Sequence, residues 1–256
     1  VFHLSGQPGV RLSWAHGFTT YVEMNVNVTQ RMLEAARSAP LERFVYASSS
    51  SVYGNATRVP TPETEPTRPY SPYGVTKLAG ELLCSAYGAN YSIPTVSLRY
   101  FTVYGPRGVE NHAVMAMIAR AFVGENPFEV WGTGEQVRNW TYIDDIVRGT
   151  LLAAEKIDDA TAVNLGTTER IRVMDAVREV LRYTGHKARI VTRPDMPTGP
   201  LNRVAANERA TKLLGWKPAV SFFEGLHRTI DWYLANKDRS QVKANLAAML
   251  TERHPG

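Results

Sequence analysis

Cysteine occurs once, at Cys84, so no disulfide can form within the chain, and neither paired thiolates nor His/Cys clusters at zinc spacing occur. No metal site is expected, and a reducing, cytoplasmic setting fits this composition best. Long apolar runs are missing as well. No stretch approaches the roughly 18 apolar residues of a membrane span, and residues 1–10 carry no basic leader region, so a soluble protein with no membrane partner is expected. Internal repeats and low-complexity tracts are absent too. The balance of 29 Lys and Arg against 24 Asp and Glu leaves a net charge of +5, with the basic residues scattered among acids. That scatter argues against a nucleic-acid partner, whereas a modest positive excess suits a small anionic ligand such as a diphosphate. With 44% hydrophobic residues, the 256-residue chain can bury a substantial core, as one large domain or a domain with a smaller lobe.

The pattern along the chain alternates strands with helices. Val1-Phe2-His3-Leu4 reads as a buried strand that runs into a Ser5-Gly6-Gln7-Pro8-Gly9 loop. From Tyr21 to Ala36, the residues Val22, Val26, Leu33 and Ala36 recur at helical spacing, and Phe44-Val45-Tyr46-Ala47 reads as a second buried strand. The Pro-rich residues 60–72 exclude a regular element and lead into a helix whose buried face is expected to include Leu78, Leu82 and Ala86. Val96 to Tyr100 follows as a third strand. Parallel neighbours need helical crossovers, so the order predicts an α/β fold with a doubly wound parallel sheet. Beyond Tyr104-Gly105-Pro106 the spacing predicts helices near residues 112–123, from Asp144, from Met174 to Gly185, and after a Ser221-Phe222-Phe223-Glu224 capping box. Val163-Asn164-Leu165-Gly166 reads as a strand. A last helix over residues 237–253, with Val242, Leu246 and Leu250 on one face, is expected to dock or to face a second copy. Residues 1–105 and 142–168 are assigned to the Rossmann-like domain, and residues 106–141 and 169–256 to a substrate-binding lobe.

Chemistry concentrates in Tyr73-Gly74-Val75-Thr76-Lys77 and in the serine run Ser48 to Ser51 at the end of the second strand. Tyr73 and Lys77, four apart, share one helix face, where an ammonium can stabilise a phenolate and make the tyrosine a usable general base. The serines end a strand at the carboxyl edge of a parallel sheet, where ligands of such sheets bind.

The chain resembles the extended short-chain dehydrogenases/reductases that act on nucleotide sugars, over nearly all of its length. Five runs carry the resemblance: residues 1–7 with Asn25, 44–54, 71–77, 98–107 and 138–145. The resemblance implies that Tyr73 is the catalytic base, that Lys77 binds the nicotinamide ribose of NAD and tunes Tyr73, and that Ser49 is the hydroxyl partner. It also implies a cofactor-binding set of Leu4, Ser5, Gly6, Asn25, Ala47, Ser48 and Tyr100 beside Tyr73 and Lys77. Substrate would meet Ser49, Ser50 and Thr102, with Arg138 and Arg193 near the diphosphate. Trp131 would sit near the nucleotide base or, equally, in the lobe core. The implied reaction is epimerisation of a UDP-sugar at C4, through a bound 4-keto sugar that turns over before the hydride returns to its other face. A homodimer is implied by the resemblance alone.

Dehydratases of this family carry Asp-Glu directly after the hydroxyl residue, where this chain has Ser50 and Ser51, and serines do not supply the acid and base that water elimination needs. UDP-glucuronate decarboxylases and GDP-sugar epimerases share much of the pattern, and a silent nucleotide-sugar binder is the alternative from another class. The Gly-rich dinucleotide turn and its following acidic residue occur nowhere in the 256 residues. The chain is therefore expected to be part of a longer one, short by about 60 to 80 residues at roughly 30 per βαβ unit, with a sheet edge left unpaired.

Overall fold

The computed structural model describes residues 1–196 and 204–251, which divide into two compact units. The first comprises Val1–Thr102, Asp144–Thr168 and Val204–Pro218, and the second Val103–Ile143, Glu169–Arg203 and Ala219–Gly256. Residues 204–218 therefore count with the first unit, whereas the sequence pattern placed them in the lobe.

In chain order, the first unit opens with β1 (Phe2–His3), α1 (Phe18–Tyr21), a π-helical segment (Val22–Asn27) and α2 (Val28–Ala36). It continues through β2 (Phe44–Ser49), α3 (Pro72–Tyr91) and β3 (Thr95–Tyr100). The second unit then supplies β4 (Val103–Tyr104), α4 (Ala113–Val123), β5 (Phe128–Trp131), β6 (Val137–Arg138) and β7 (Thr141–Tyr142). After α5 (Ile143–Lys156) and β8 (Asp159–Leu165) come β9 (Ile171–Arg172), α6 (Val173–Thr184) and β10 (Ile190–Arg193). The chain ends with α7 (Glu208–Leu214), α8 (Phe222–Asn236) and α9 (Arg239–Thr251). Residue 253, the expected end of the last helix, lies outside the described residues.

Four strands of the first unit form one parallel sheet in the order β1-β2-β3-β8. All six residues of β2 are buried, as a strand covered on both faces requires. Phe44 and Tyr46 pack with Leu33, Cys84 and Ile93. The second unit has its own apolar core, in which α4, α6, α8 and α9 contribute Ile118, Val177, Ile230 and Leu246. Helix α8 starts at Ser221, whose hydroxyl accepts the Glu224 amide at 3.3 Å, while the Glu224 carboxylate bonds Arg228 one turn on.

Two expected helix faces need correction. On α3, Leu82 is 62% exposed and Ala86 is exposed too, with Leu78 only half-buried. The residues turned inward are Gly74, Thr76, Lys77, Gly80, Glu81 and Cys84. Small and polar side chains therefore face the sheet, and apolar periodicity points to the wrong side. In the segment from Tyr21, the buried stripe is Tyr21, Asn25, Thr29 and Leu33, while Val22 and Val26 are half-buried. The π turn at 22–27 widens the helix to more than four residues per turn, which displaces the stripe from the 3.6-residue period.

A buried ion pair ties the sheet to α3. Arg99 of β3 donates to both oxygens of Glu81, from Nε at 3.0 Å and from Nη2 at 2.7 Å, and both side chains are 8% exposed. The hydroxyl of Ser48 on β2 donates to the same carboxylate. The third arm of Arg99 meets the Tyr53 hydroxyl at 2.9 Å, and Tyr53 donates to Asn164 Oδ1 of β8 at 2.6 Å. Burial pushes the Tyr53 hydroxyl up to about 12 against the pull of Arg99, so it stays a donor at all working pH values. Removing one partner of such a pair strands the other charge. Glu81→Ala is expected to cost about 3–5 kcal/mol in urea unfolding, and Glu81→Leu combined with Arg99→Met is expected to recover most of that loss.

Candidate active site

Helix α3 begins with three devices in four residues. Ser71 caps it by accepting the Gly74 amide at 3.2 Å, Pro72 takes the first turn, where its missing N–H costs nothing, and Tyr73 follows. Gly74 lets this turn press on the loop after β2: a Cβ there would lie 2.6 Å from the Ser51 carbonyl oxygen. Tyr73 is thereby anchored next to the serine run. Its ring meets Tyr21 edge-on, with centroids 6.0 Å apart, and Tyr21 is fixed by its hydroxyl on the Pro8 carbonyl at 2.8 Å.

Lys77 lies one turn further along α3, 6% exposed, and donates from Nζ to the Ala47 carbonyl of β2 at 2.9 Å. Burial lowers its pKa from 10.5 to about 8, because an ammonium is costly to hold away from water. Gly6 closes over it. With φ at +153°, a side chain there would meet Asn25 Oδ1 at 2.7 Å and Lys77 Nζ at 3.3 Å.

Asn25 ties the Gly6 loop to the helices. Its Oδ1 accepts the Gln7 amide at 2.6 Å, and its Nδ2 donates to the Gln7 carbonyl at 3.1 Å and to Thr76 Oγ1 at 3.0 Å. Thr76 in turn donates to the Tyr73 carbonyl at 2.9 Å. A side-chain amide that pairs with both backbone groups of one residue acts like an extra strand rung. Asn25 is fully buried in the π-helical turn, the kind of irregularity that recurs at functional sites.

The serines stand at the carboxyl end of β2. Ser49 accepts the Ser51 amide at 3.1 Å and caps a short 3₁₀ turn over Ser50–Tyr53. Because this bond uses a lone pair, the Ser49 proton is available to another acceptor. Ser49 stands in register with Tyr100, whose hydroxyl bonds Thr150 of α5 at 2.9 Å.

The first unit thus holds Leu4, Ser5, Gly6, Asn25, Ala47, Ser48, Ser49, Ser50, Tyr73, Lys77, Tyr100 and Thr102, with the strand-end residues along one edge of the sheet. The Lys77, Ala47, Gly6 and Asn25 contacts join four of them directly. Trp131, Arg138 and Arg193 belong to the second unit. Parallel pairing of β5 with β10 sets Arg193 beside Trp131, and the Arg193 guanidinium engages Glu129 at 3.2 Å and Asp195 at 3.0 Å. Arg138 lies on a separate ladder, β6 with β9. Sequence reasoning misses Tyr21, Thr76, Glu81 and Arg99, none of which lies in an apolar pattern. The spacing Tyr21, Asn25, Thr29, Leu33 is the signal that would have found the first.

A parallel α/β sheet with Tyr73 and Lys77 on one helix, next to a serine-ended strand, defines an extended short-chain dehydrogenase/reductase. The chain belongs to the NAD dependent epimerase/dehydratase family, whose model matches residues 1–166. It is 39% identical to the uncharacterized UDP-glucose epimerase YtcB of Bacillus subtilis, over 90% of this chain and 72% of that protein. It is 34% identical to a UDP-glucuronate 4-epimerase of Thermodesulfobacterium geofontis, over 92% of this chain and 72% of that one. The crystal structure of the UDP-glucuronic acid 4-epimerase of Bacillus cereus with UDP-glucuronic acid and NAD superimposes with a TM-score of 0.84 at 38% identity, covering 91% of this chain and 74% of that one.

The depressed Lys77 pKa has a definite sign in stability. Below about pH 8 the native state carries the full cost of a buried ammonium. Between about 8 and 10.5 the native lysine has lost its proton while the unfolded one retains it, so stability rises with pH across that window. Carbon-13 NMR of the Lys77 side chain should show a midpoint near 8, and Lys77→Met should flatten the rise in urea midpoint.

Proposed function

We propose that the protein epimerises a UDP-sugar at C4, using NAD, with Tyr73, Lys77 and Ser49 as its catalytic residues. The observation that carries this reading is the buried Lys77 ammonium, held on the Ala47 carbonyl one helical turn from Tyr73 and closed over by a glycine. The nicotinamide side of a dinucleotide fits these residues: Gly6 keeps the space beside Asn25 and Lys77 clear of a side chain. Lys77, Ala47 and the Leu4–Gly6 loop would hold it. The Gly-rich turn that cradles a pyrophosphate does not occur in the 256 residues.

Bound NAD would supply the redox chemistry, taking a hydride from C4 and giving it back. Tyr73 accepts the proton of the sugar 4-hydroxyl as the carbonyl forms, and the Lys77 ammonium favours its phenolate form. Ser49, its lone pair committed to the Ser51 amide, donates its proton to the sugar oxygen. When the 4-keto sugar presents its other face, Tyr73 returns the proton to the new hydroxyl. Ser50 and Ser51, both buried after Ser49, carry no carboxyl that could expel water from the sugar, which supports epimerisation over dehydration.

Substrate contacts fall to Ser50 and Thr102 in the first unit, and to Trp131, Arg138 and Arg193 in the second. The pairing of Arg193 with Glu129 and Asp195 means that a diphosphate at this residue would compete with two carboxylates. The same reading includes a cytoplasmic homodimer, supported by the exposed Met24, Val75, Leu82 and Tyr91 on the helices of the first unit. No helix among the described residues is long and apolar enough to cross a membrane.

The deciding measurement is NMR of UDP-glucose, UDP-N-acetylglucosamine and UDP-glucuronate incubated with the protein and NAD. A C4 epimer is expected, lost by at least about a hundredfold in Tyr73→Phe, the scale of one general base. A 4-keto-6-deoxy or a pentose product would instead make the protein a dehydratase or a decarboxylase.

A further inference from the structure

His3 is the buried titratable group that the proposed chemistry does not use. It ends β1, is 1% exposed, and precedes the Leu4–Gly6 loop. Its ring packs edge-on against Phe44, with centroids 5.8 Å apart, and tilted against Tyr46. Each ring nitrogen has a hydroxyl: Nε2 lies 2.8 Å from Thr29 Oγ1, and Nδ1 lies 3.2 Å from Ser5 Oγ.

The protons along this path can be counted. Thr29 donates its single hydroxyl proton to the Asn25 carbonyl at 2.7 Å, leaving only lone pairs on its oxygen. A lone pair of Thr29 therefore faces Nε2, which must carry the imidazole hydrogen, since two lone pairs would repel. Burial and the nearby Lys77 charge keep the ring neutral, with a pKa lowered to about 4, so there is one ring proton to place. With that proton on Nε2, Nδ1 is an acceptor, and the Ser5 hydroxyl turns its proton inward to meet it. Ser5 itself is exposed on the loop. Its oxygen then offers ligands nothing but lone pairs.

We propose that His3 is a positioning residue that orients the Ser5 hydroxyl inward, making Ser5 Oγ an acceptor for a hydrogen-bond donor of the bound dinucleotide, a ribose hydroxyl or an amide N–H. The assignment rests on the NAD reading above and extends it to a residue outside the catalytic set. It also excludes a role: Ser5 does not bind a phosphate oxygen, which would need the proton already given to His3. The path continues past Thr29 to Asn25, so the loop and the π-helical turn share one orientation of hydroxyls.

Long-range nitrogen-15 NMR of the unaltered protein, with His3 assigned by comparison with His3→Gln, tests the orientation without any turnover. The neutral tautomer with the proton on Nε2 is expected from pH 5 to 8, and a proton on Nδ1 overturns the proposal. Titration calorimetry with NAD tests the ligand. Ser5→Ala is expected to weaken binding by about five- to tenfold, the loss of one hydrogen bond. His3→Gln should weaken it similarly, and the double variant by no more than either alone, because both changes remove the same acceptor. Additive losses, or a Ser5→Ala affinity within about twofold of the unaltered protein, overturn the assignment. Failure of the unaltered protein to bind NAD would overturn the NAD reading and the ligand assignment with it. A proton on Nδ1 alongside normal NAD binding would overturn this inference alone.

Discussion

A carboxylate and a guanidinium withdrawn from water need hydrogen-bond partners, and Glu81 and Arg99 find theirs in a network that runs across three strands and a helix. The Ser48 hydroxyl, the Tyr53 hydroxyl and, through Tyr53, Asn164 all take their places from this pair. Glu81 is one turn beyond Lys77 on α3, and Ser48 directly precedes Ser49 on β2. The pair therefore sets the distance between the helix that carries the base and the strand end that carries the hydroxyl. An apolar contact would hold the same layers together but would permit sliding. Directional bonds among five side chains do not.

Around that constraint, polar side chains do much of the work usually left to leucine and valine. Asn25 bonds both backbone groups of Gln7, and Thr76 and Thr29 anchor to carbonyls of Tyr73 and Asn25. The Asn25 bonds span elements that also carry candidate site residues, while the two threonines brace their own helical turns. Gly74 lets α3 approach the serine turn closely. The outward side of the same helix is left with Val75 and Leu82, both exposed in the described chain.

How much of this was readable beforehand follows from the same physics. The parallel strands were legible because β2 opens on the apolar run Phe44 to Ala47 and β3 carries Val96, Leu98 and Tyr100 between helical stretches. The pairing of Tyr73 with Lys77 was legible because i, i+4 spacing is a property of any helix. The buried faces of α3 and of the helix before β2 were not, since amphipathic patterning assumes an apolar interior and both helices turn polar residues inward. Glu81 and Arg99, 18 residues apart, read individually as surface charges. Only the fold makes them neighbours. The engagement of Arg193 by Glu129 depends on the pairing of β10 with β5, a long-range register that local sequence does not encode.

The π-helical turn at Val22–Asn27 can also be considered as a count of residues. A π turn is an α-helix with one residue too many, so the backbone on its two sides differs in rotation by about 100°, the angle of one helical residue. Deleting a single residue between Tyr21 and Asn25 would restore an ordinary helix and swing Tyr21 away from Tyr73. A length change that alignment would score as trivial would thus turn one wall of the site through a quarter of a circle.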